Sequence, residues 1–171
     1  MGRKRFDDMN CGVAQALEAL GDWWTLLIVR NAFFGMRRFA DFEADLGIAK
    51  NVLSSRLQHL VDHDIFERVE AGREGSRFEY RLTEKGEALL PVLTSLREWS
   101  DAWVFGRGNE PYVVRDRRTR RRVPKLVVRD ADGRPLTRRD IRMSPGPGAT
   151  LETRARFGRP LTTDLRSLRR V

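Results

Sequence analysis

Apolar side chains recur every three or four residues over much of the first 62 positions of this chain. That spacing places them on one side of a helix, and it predicts four helices, at residues 11–20, 23–34, 39–46 and 51–62. Asp22 is a good N-cap for the second helix, and glycines at positions 21, 35 and 47 end the first three. Since the second helix is apolar nearly all round, we expect it at the centre of the core.

The hydrophobic period changes at residue 65 and changes back at residue 83. Residues 65–70 and 77–82 alternate in the manner of strands and enclose a polar turn that contains glycine, so they predict a β-hairpin. Beyond Thr83, a suitable N-cap, the pattern predicts one long helix to about Phe105 with a kink at Pro91.

This last helix is more apolar on one side than a small domain can cover by itself. We therefore expect a homodimer in which that side packs together with the first helix, because exposed apolar patches are typical of interfaces. The alternative is that the apolar side packs on the chain's own first helix. The predicted interface residues are Val13, Leu17, Leu93, Leu96, Trp99 and Trp103.

The order of these elements is that of a winged helix-turn-helix domain. The predicted fold class is mainly α with a small β-hairpin (α+β), over residues 1–106. On the fourth helix, the side opposite the apolar stripe carries polar groups that can bind base edges and phosphates. The predicted DNA-binding residues lie there, just before the third and fourth helices, and at the hairpin tip: Arg37, Arg38, Lys50, Asn51, Ser54, Ser55, Arg56, Gln58, His59, Arg73 and Arg77.

Charge divides the chain into two unlike parts. Residues 1–106 hold 14 basic and 17 acidic residues, whereas residues 107–171 hold 19 basic and 7 acidic residues. A basic tail indicates a polyanionic partner, with nucleic acid as the first candidate and an anionic membrane surface as the second. The alternative is a charge run that is merely solvated.

Five short strings resemble the HxlR-type regulators, which are related to the MarR-like winged helices. The strings are residues 11–14 (CGVA), 20–28 (LGDWWTLLI), 37–39 (RRF), 51–54 (NVLS) and 80–86 (YRLTEKG). The resemblance implies a DNA-binding domain that dimerises through its first and last helices and regulates transcription.

Two departures from the family pattern lie at the fourth helix. Ala49 and Lys50 stand where the family has Ser or Thr followed by Pro, so the side-chain cap is missing and Asn51 is the alternative cap. Ser55 and Gln58 replace arginines that are common in the family, which implies a different base preference.

The C-terminal third resembles an extension that in some members carries Cys-x-x-Cys-Gly pairs before a Pro-Gly-Pro-Gly motif. Residues 129–133 (RDADG) stand in the place of such a pair, so the zinc ligands are gone. We expect residues 107–143 to form a β-ribbon without metal, in which residues 112–114 and 126–128 pair as strands. Residues 144–171 are expected to form a basic, loosely ordered arm.

Chemistry-bearing residues are few. Cys11 is the one cysteine, so no disulfide can form within the chain. Near the interface it is a candidate redox sensor, and a buried inert thiol is the alternative. His59 and His63 are four residues apart but have no ligand-like partners, so we predict no metal, no cofactor and no enzymatic activity. No segment has the length of a membrane span, so a cytoplasmic protein is expected.

The function predicted from sequence is that of a transcriptional regulator that binds a near-palindromic operator in double-stranded DNA as a homodimer. A redox signal or a small-molecule effector is a further candidate partner. The alternative function is a protein- or RNA-interaction module on the winged scaffold. Its support is that residues 47–83 carry six basic and six acidic side chains.

Overall fold

The computed structural model describes residues 6–71 and 78–158. Four helices come first: α1 (Gly12–Leu20), α2 (Trp23–Phe33), α3 (Phe39–Leu46) and α4 (Lys50–Asp62). An antiparallel pair follows, β1 (Phe66–Glu70) and β2 (Phe78–Leu82), and then α5 (Glu84–Glu87), α6 (Leu90–Ser100) and a π-helical turn (Asp101–Phe105). The remaining elements are a 3₁₀ turn (Arg138–Asp140) and α7 (Leu151–Gly158). The predicted fold class, mainly α with one β-hairpin, is confirmed.

Two helices, α2 and α5, begin at the side-chain caps that the sequence predicted. Asp22 Oδ1 accepts a hydrogen bond from the backbone N–H of Thr25 at 3.3 Å, at the start of α2. Thr83 Oγ1 accepts one from the N–H of Gly86 at 3.1 Å and donates to the Asp64 carbonyl at 2.5 Å. The Thr83 cap therefore also fixes the start of α5 against the turn that follows α4.

The core lies between α2, α3, α4 and the base of the hairpin. Its members share complete or nearly complete burial, and the largest are Phe42, Phe66, Ile28, Leu53, Leu57, Leu60 and Val29. Asn31 is buried among them, where it donates to Asp45 Oδ2 at 2.7 Å and accepts from Arg30 at 2.7 Å. These bonds satisfy the buried amide and join α2 to α3.

The prediction of one continuous last helix is wrong. Residues 88–89 separate α5 from α6, and Pro91 lies at the start of α6 and not at a kink within one helix. Proline suits that position because the first N–H groups of a helix have no intrahelical acceptor. The apolar stripe also divides, since Leu89 and Leu93 pack against the core whereas Leu96, Trp99 and Trp103 are exposed.

The prediction that residues 112–114 and 126–128 of the extension pair as strands is wrong. Val114 accepts a hydrogen bond from the N–H of Val123 at 2.9 Å, and Val128 accepts one from Leu136 at 2.8 Å. Residues 112–114 and 126–128 therefore each fold back across their own turn and do not pair with each other. Short loops close at low entropic cost, which favours two local turns over one longer ribbon.

The chain after residue 144 is more ordered than expected, because residues 151–158 form α7. Asn10 Oδ1 accepts hydrogen bonds from Thr150 N at 3.1 Å and Thr153 Oγ1 at 2.9 Å, and Asn10 Nδ2 donates to the Gly148 carbonyl at 3.2 Å. We call these three contacts the terminal clasp. They hold the start of α7 beside the start of α1; residues 159–171 lie outside the described part of the chain.

Candidate nucleic-acid interface

The exposed side of α4 carries four of the predicted DNA-binding residues: Asn51, Ser54, Ser55 and Gln58. Gln58 Nε2 donates to Asp62 Oδ1 at 2.7 Å, within the same helix. Ala49 is the N-cap and makes no side-chain cap bond, so the alternative that Asn51 caps the helix is wrong. We call the four side chains the polar face of α4.

Arg56 and His59, which the sequence placed on the flank of the polar side and on that side itself, are half-buried and bond to other helices; their contact with DNA stays a prediction. Arg56 Nη2 is 2.7 Å from Asp22 Oδ2, so this guanidinium forms an ion pair with the cap of α2. The His59 ring donates through Nε2 to the Ala19 carbonyl at 2.9 Å. That carbonyl belongs to the last turn of α1, where backbone acceptors have no intrahelical donor. Both side chains therefore brace α4 against α1 and α2.

The remaining predicted cations belong to the start of α4, to the segment before α3 and to the hairpin tip. Lys50 is 76% exposed and its Nζ lies 3.8 Å from Glu43 Oε1. Arg37 and Arg38 are exposed between α2 and α3, and Arg38 Nε lies 3.9 Å from Glu79 Oε1. The Arg37 carbonyl accepts from Tyr80 N at 2.8 Å, which joins this segment to β2. Arg73 and Arg77, at the predicted hairpin tip, lie outside the described residues.

Large apolar side chains are exposed on α1, on α6 and on the π-helical turn. Val13 is 70% exposed and Trp103 is 78% exposed, and Leu17, Leu96 and Trp99 are each about half exposed. Leu93, the sixth predicted interface residue, is half-buried against the chain's own core, and its place in an interface stays a prediction. We call the five exposed residues the apolar surface.

Cys11 lies at the N-terminus of α1 and is partly exposed. The backbone N–H groups of Ala14 and, more weakly, Val13 lower the pKa of its thiol below the ordinary value, and Arg156 of α7 contributes to the same shift. An open groove of about 560 Å³ lies beside it, lined by Asn10, Gln15, Thr150 and other residues of the two chain ends. Sequence patterns gave no sign of this groove, because it depends on the fold-back of residues 146–153.

Two further observations bear on other classes of function. Within residues 6–71 and 78–158, no three potential metal ligands lie together. The rings of His59 and His63 are tilted by 40° with their centroids 4.1 Å apart, and His63 donates to the His59 carbonyl. None of the helices in the same ranges has both the length and the apolar character that crossing a bilayer requires.

Known proteins share this architecture. The chain matches the HxlR-like helix-turn-helix family over residues 19–107. The HTH-type transcriptional regulator Rv3095 of Mycobacterium tuberculosis is 38% identical over 144 residues, which cover 84% of this chain and 90% of the relative.

Two solved structures are similar over most of the chain. PA1607, a candidate transcription factor, has a TM-score of 0.77 and 41% identity, over 84% of this chain and all of its own. PA1374 of Pseudomonas aeruginosa, also a candidate transcription factor, has a TM-score of 0.60 and 34% identity, over 85% and 99% of the two chains. The family and Rv3095 are transcriptional regulators and not enzymes. The match over residues 19–107 and the likeness to Rv3095 together show that this chain is a transcriptional regulator of the HxlR-like helix-turn-helix family.

Proposed function

We propose that this regulator binds a near-palindromic operator in duplex DNA as a homodimer, with α4 in the major groove. The observation that carries the proposal is the polar face of α4. Asn51 and Gln58 offer amides and Ser54 and Ser55 offer hydroxyls, and all four are exposed on one helix that the core holds rigidly. Amides pair well with adenine edges, and hydroxyls are tolerant of several bases.

The start of α4 suits a phosphate. Ala49 provides no side-chain cap, so the first N–H groups of the helix are free of that competitor. A helix N-terminus binds phosphate through such groups and through its dipole. Lys50 adds a positive charge at this end, and Arg37, Arg38, Arg73 and Arg77 remain proposed backbone contacts.

The apolar surface supports the dimer. Two tryptophans and three aliphatic side chains stand in solvent on α1, α6 and the π-helical turn, and burying large apolar side chains against a second copy stabilises association. A two-fold pair of α4 helices would meet half-sites about 34 to 36 Å apart.

The test is selection of genomic fragments by the purified full-length protein, followed by binding to the recovered duplex at several salt concentrations. We expect one enriched inverted repeat, and an affinity that falls steeply with salt because phosphate contacts release counterions. Enrichment of RNA or of a protein partner, with no preferred duplex, would contradict the proposal and favour the interaction-module alternative.

Cys11 is the proposed point at which a redox or electrophilic signal acts on this regulator. Its thiol has a lowered pKa, is partly exposed and lies two residues from Val13 of the apolar surface. Modification there would add bulk beside the proposed interface and weaken the dimer. A small-molecule effector that binds without reaction remains the alternative signal.

A further inference from the structure

The extension contains a dense cluster of arginines, which lies outside both the polar face of α4 and the hairpin. Residues 115–122 hold six arginines and one aspartate. Every one of these eight residues is exposed. We call this segment the arginine turn.

The arginine turn is a defined structure. Arg115 and Arg122 pair across it as an isolated antiparallel bridge, and Asp116 N donates to the Arg121 carbonyl at 3.0 Å. Asp116 Oδ1 accepts from Thr119 N at 2.6 Å, and the Arg120 N–H bonds to the Asp116 carbonyl at 2.9 Å. The single carboxylate of the turn is thus engaged by the backbone, and the same Thr119 amide lowers the pKa of Asp116.

The arginines at the tip differ from the cations around α4. Lys50, Arg56 and Arg38 each lie within 4 Å of a carboxylate. In the turn, Arg122 pairs with Glu110 at 3.2 Å and Arg115 donates to the Arg120 carbonyl, which fixes the two sides. Arg117, Arg118 and Arg121 stand between them in solvent.

The recognition region itself supplies little attraction for a polyanion. Residues 47–83 carry equal numbers of acidic and basic side chains. Most of the affinity of a protein for duplex DNA at low salt comes from cations on phosphates. A regulator with a neutral recognition region therefore gains affinity from additional phosphate contacts made by another part of the chain.

The extension starts close to the helix-turn-helix. Tyr112 packs edge-on against Phe34 with ring centroids 5.6 Å apart, and Phe34 precedes Arg37 by three residues. Tyr112 also lies under the Arg97 guanidinium, 5.8 Å from its ring centroid. The base of the arginine turn, three residues after Tyr112, is thereby anchored at the end of α2 that leads into α3.

We propose that the arginine turn is a second DNA-binding site, which contacts the phosphate backbone of duplex DNA outside the bases that α4 contacts. Guanidinium groups bind phosphate oxygens in a bidentate manner and need no particular base, so the site would add affinity without sequence preference. This inference rests on the proposed function.

The test compares two variants of the full chain that lose equal charge. One carries Arg117→Gln, Arg118→Gln and Arg121→Gln; the other carries Arg138→Gln, Arg139→Gln and Arg142→Gln, exposed arginines of the same extension outside the turn. The substitutions leave the backbone bonds of the turn and Asp116 in place. Circular dichroism and thermal melting should therefore match the wild type for both.

Binding is measured on a random-sequence 40-base-pair duplex and on the genomic operator with its flanks, as salt is raised. For the turn variant we expect the plot of log affinity against log salt to become shallower. The magnitude of its slope should decrease by about two to three units, near one for each phosphate that the variant no longer binds. Its affinity for both duplexes should fall at least about tenfold at low salt, and hydroxyl-radical protection outside the inverted repeat should disappear. The second variant should change the slope by less than one unit.

Three outcomes would overturn the inference while leaving the proposed function standing. The turn variant could bind both duplexes with the wild-type slope, or the slope could fall equally in the two variants, which would indicate a diffuse charge effect. Third, the turn variant could bind duplex DNA as the wild type does but lose the binding of an RNA hairpin or of anionic lipid vesicles. The arginine turn would then bind one of those partners and not duplex DNA. Failure of the proposed function would look different, because the wild type would then select no operator.

Discussion

At the scale of single residues, Gly86 shows how closely the chain folds on itself. A Cβ at this position would lie 2.2 Å from the Ile65 carbonyl oxygen and 2.9 Å from Leu82 Cδ2. The first of these atoms is backbone and cannot rotate away. The glycine is therefore required by the approach of α5 to the residues between α4 and β1.

We predict that Gly86→Ala lowers the free energy of unfolding by about 2 kcal/mol or more, because overpacking displaces backbone. Gly12→Ala is the matched control, since nothing lies within 4 Å of its Cβ position. That change should be neutral or slightly stabilising. Urea unfolding followed by circular dichroism measures both, and equal midpoints for the two variants would refute the close contact.

Cys11 gives a prediction that depends on pH. Helix N–H groups stabilise its thiolate and lower its pKa, so a larger share of the thiol is ionised at neutral pH than in an unperturbed cysteine. The rate of alkylation by iodoacetamide should reach half its maximum at a lower pH than for Ser144→Cys in a Cys11→Ser background. Coincident pH profiles would show that α1 has no influence on the thiol.

At the scale of elements, α4 has two roles carried by neighbouring side chains. Gln58 belongs to the polar face, whereas His59 bonds to the last turn of α1. The same helix thus carries side chains suited to DNA bases and is also bonded to α1, the helix that bears Val13 and Leu17. Substituting Gln58 and His59 one at a time should separate the recognition of bases from the attachment of α4 to α1.

Gln58→Ala should cost about 1 to 3 kcal/mol of binding on the selected operator and little on random duplex, with stability unchanged. His59→Ala should lower the free energy of unfolding by about 1 kcal/mol because it removes the hydrogen bond to α1, while the relative affinities for operator variants stay as in the wild type. Competition binding against operator variants and urea unfolding measure the two effects. A change of base preference in His59→Ala would place that ring at the DNA after all.

The elements themselves followed well from periodicity and caps, but the partners of individual side chains did not. The helical repeat gives the angles of Arg56 and His59 around α4, and it placed His59 on the polar side and Arg56 on the flank of that side. Their inward positions depend on Asp22 and the Ala19 carbonyl, which belong to other helices. Likewise, the stripe on the last helix was visible, but its division between core and surface depends on where α6 meets α2.

At the scale of the whole molecule, the apolar surface and the extension determine what the regulator assembles with. The C-terminal third was the least predictable part, because its two local turns and the terminal clasp depend on single hydrogen bonds and not on a repeating pattern. Its charge was the exception, since the excess of arginine is evident from composition.

Trp103→Asp should weaken the dimer by at least about 2 kcal/mol, or about thirtyfold in dissociation constant, because a large side chain at an interface is replaced by a charge. Trp23→Asp is the matched control: its indole is 76% exposed at the start of α2 and is not one of the five residues of the apolar surface. Light scattering across micromolar concentrations measures the mass. A monomeric wild type, or equal weakening in both variants, would exclude this interface.

The terminal clasp has a consequence for how the chain folds and opens. Asn10 meets partners 138, 140 and 143 residues further along, so its contacts have the high sequence separation that delays formation during folding. Few buried apolar groups reinforce it, because α7 is exposed along most of its length. Local stability follows such burial. The amide protons of α7 should therefore exchange with solvent through local detachment, at rates far above those of α2 and α4. We therefore expect a slowly exchanging core and an α7 that detaches from it without global unfolding.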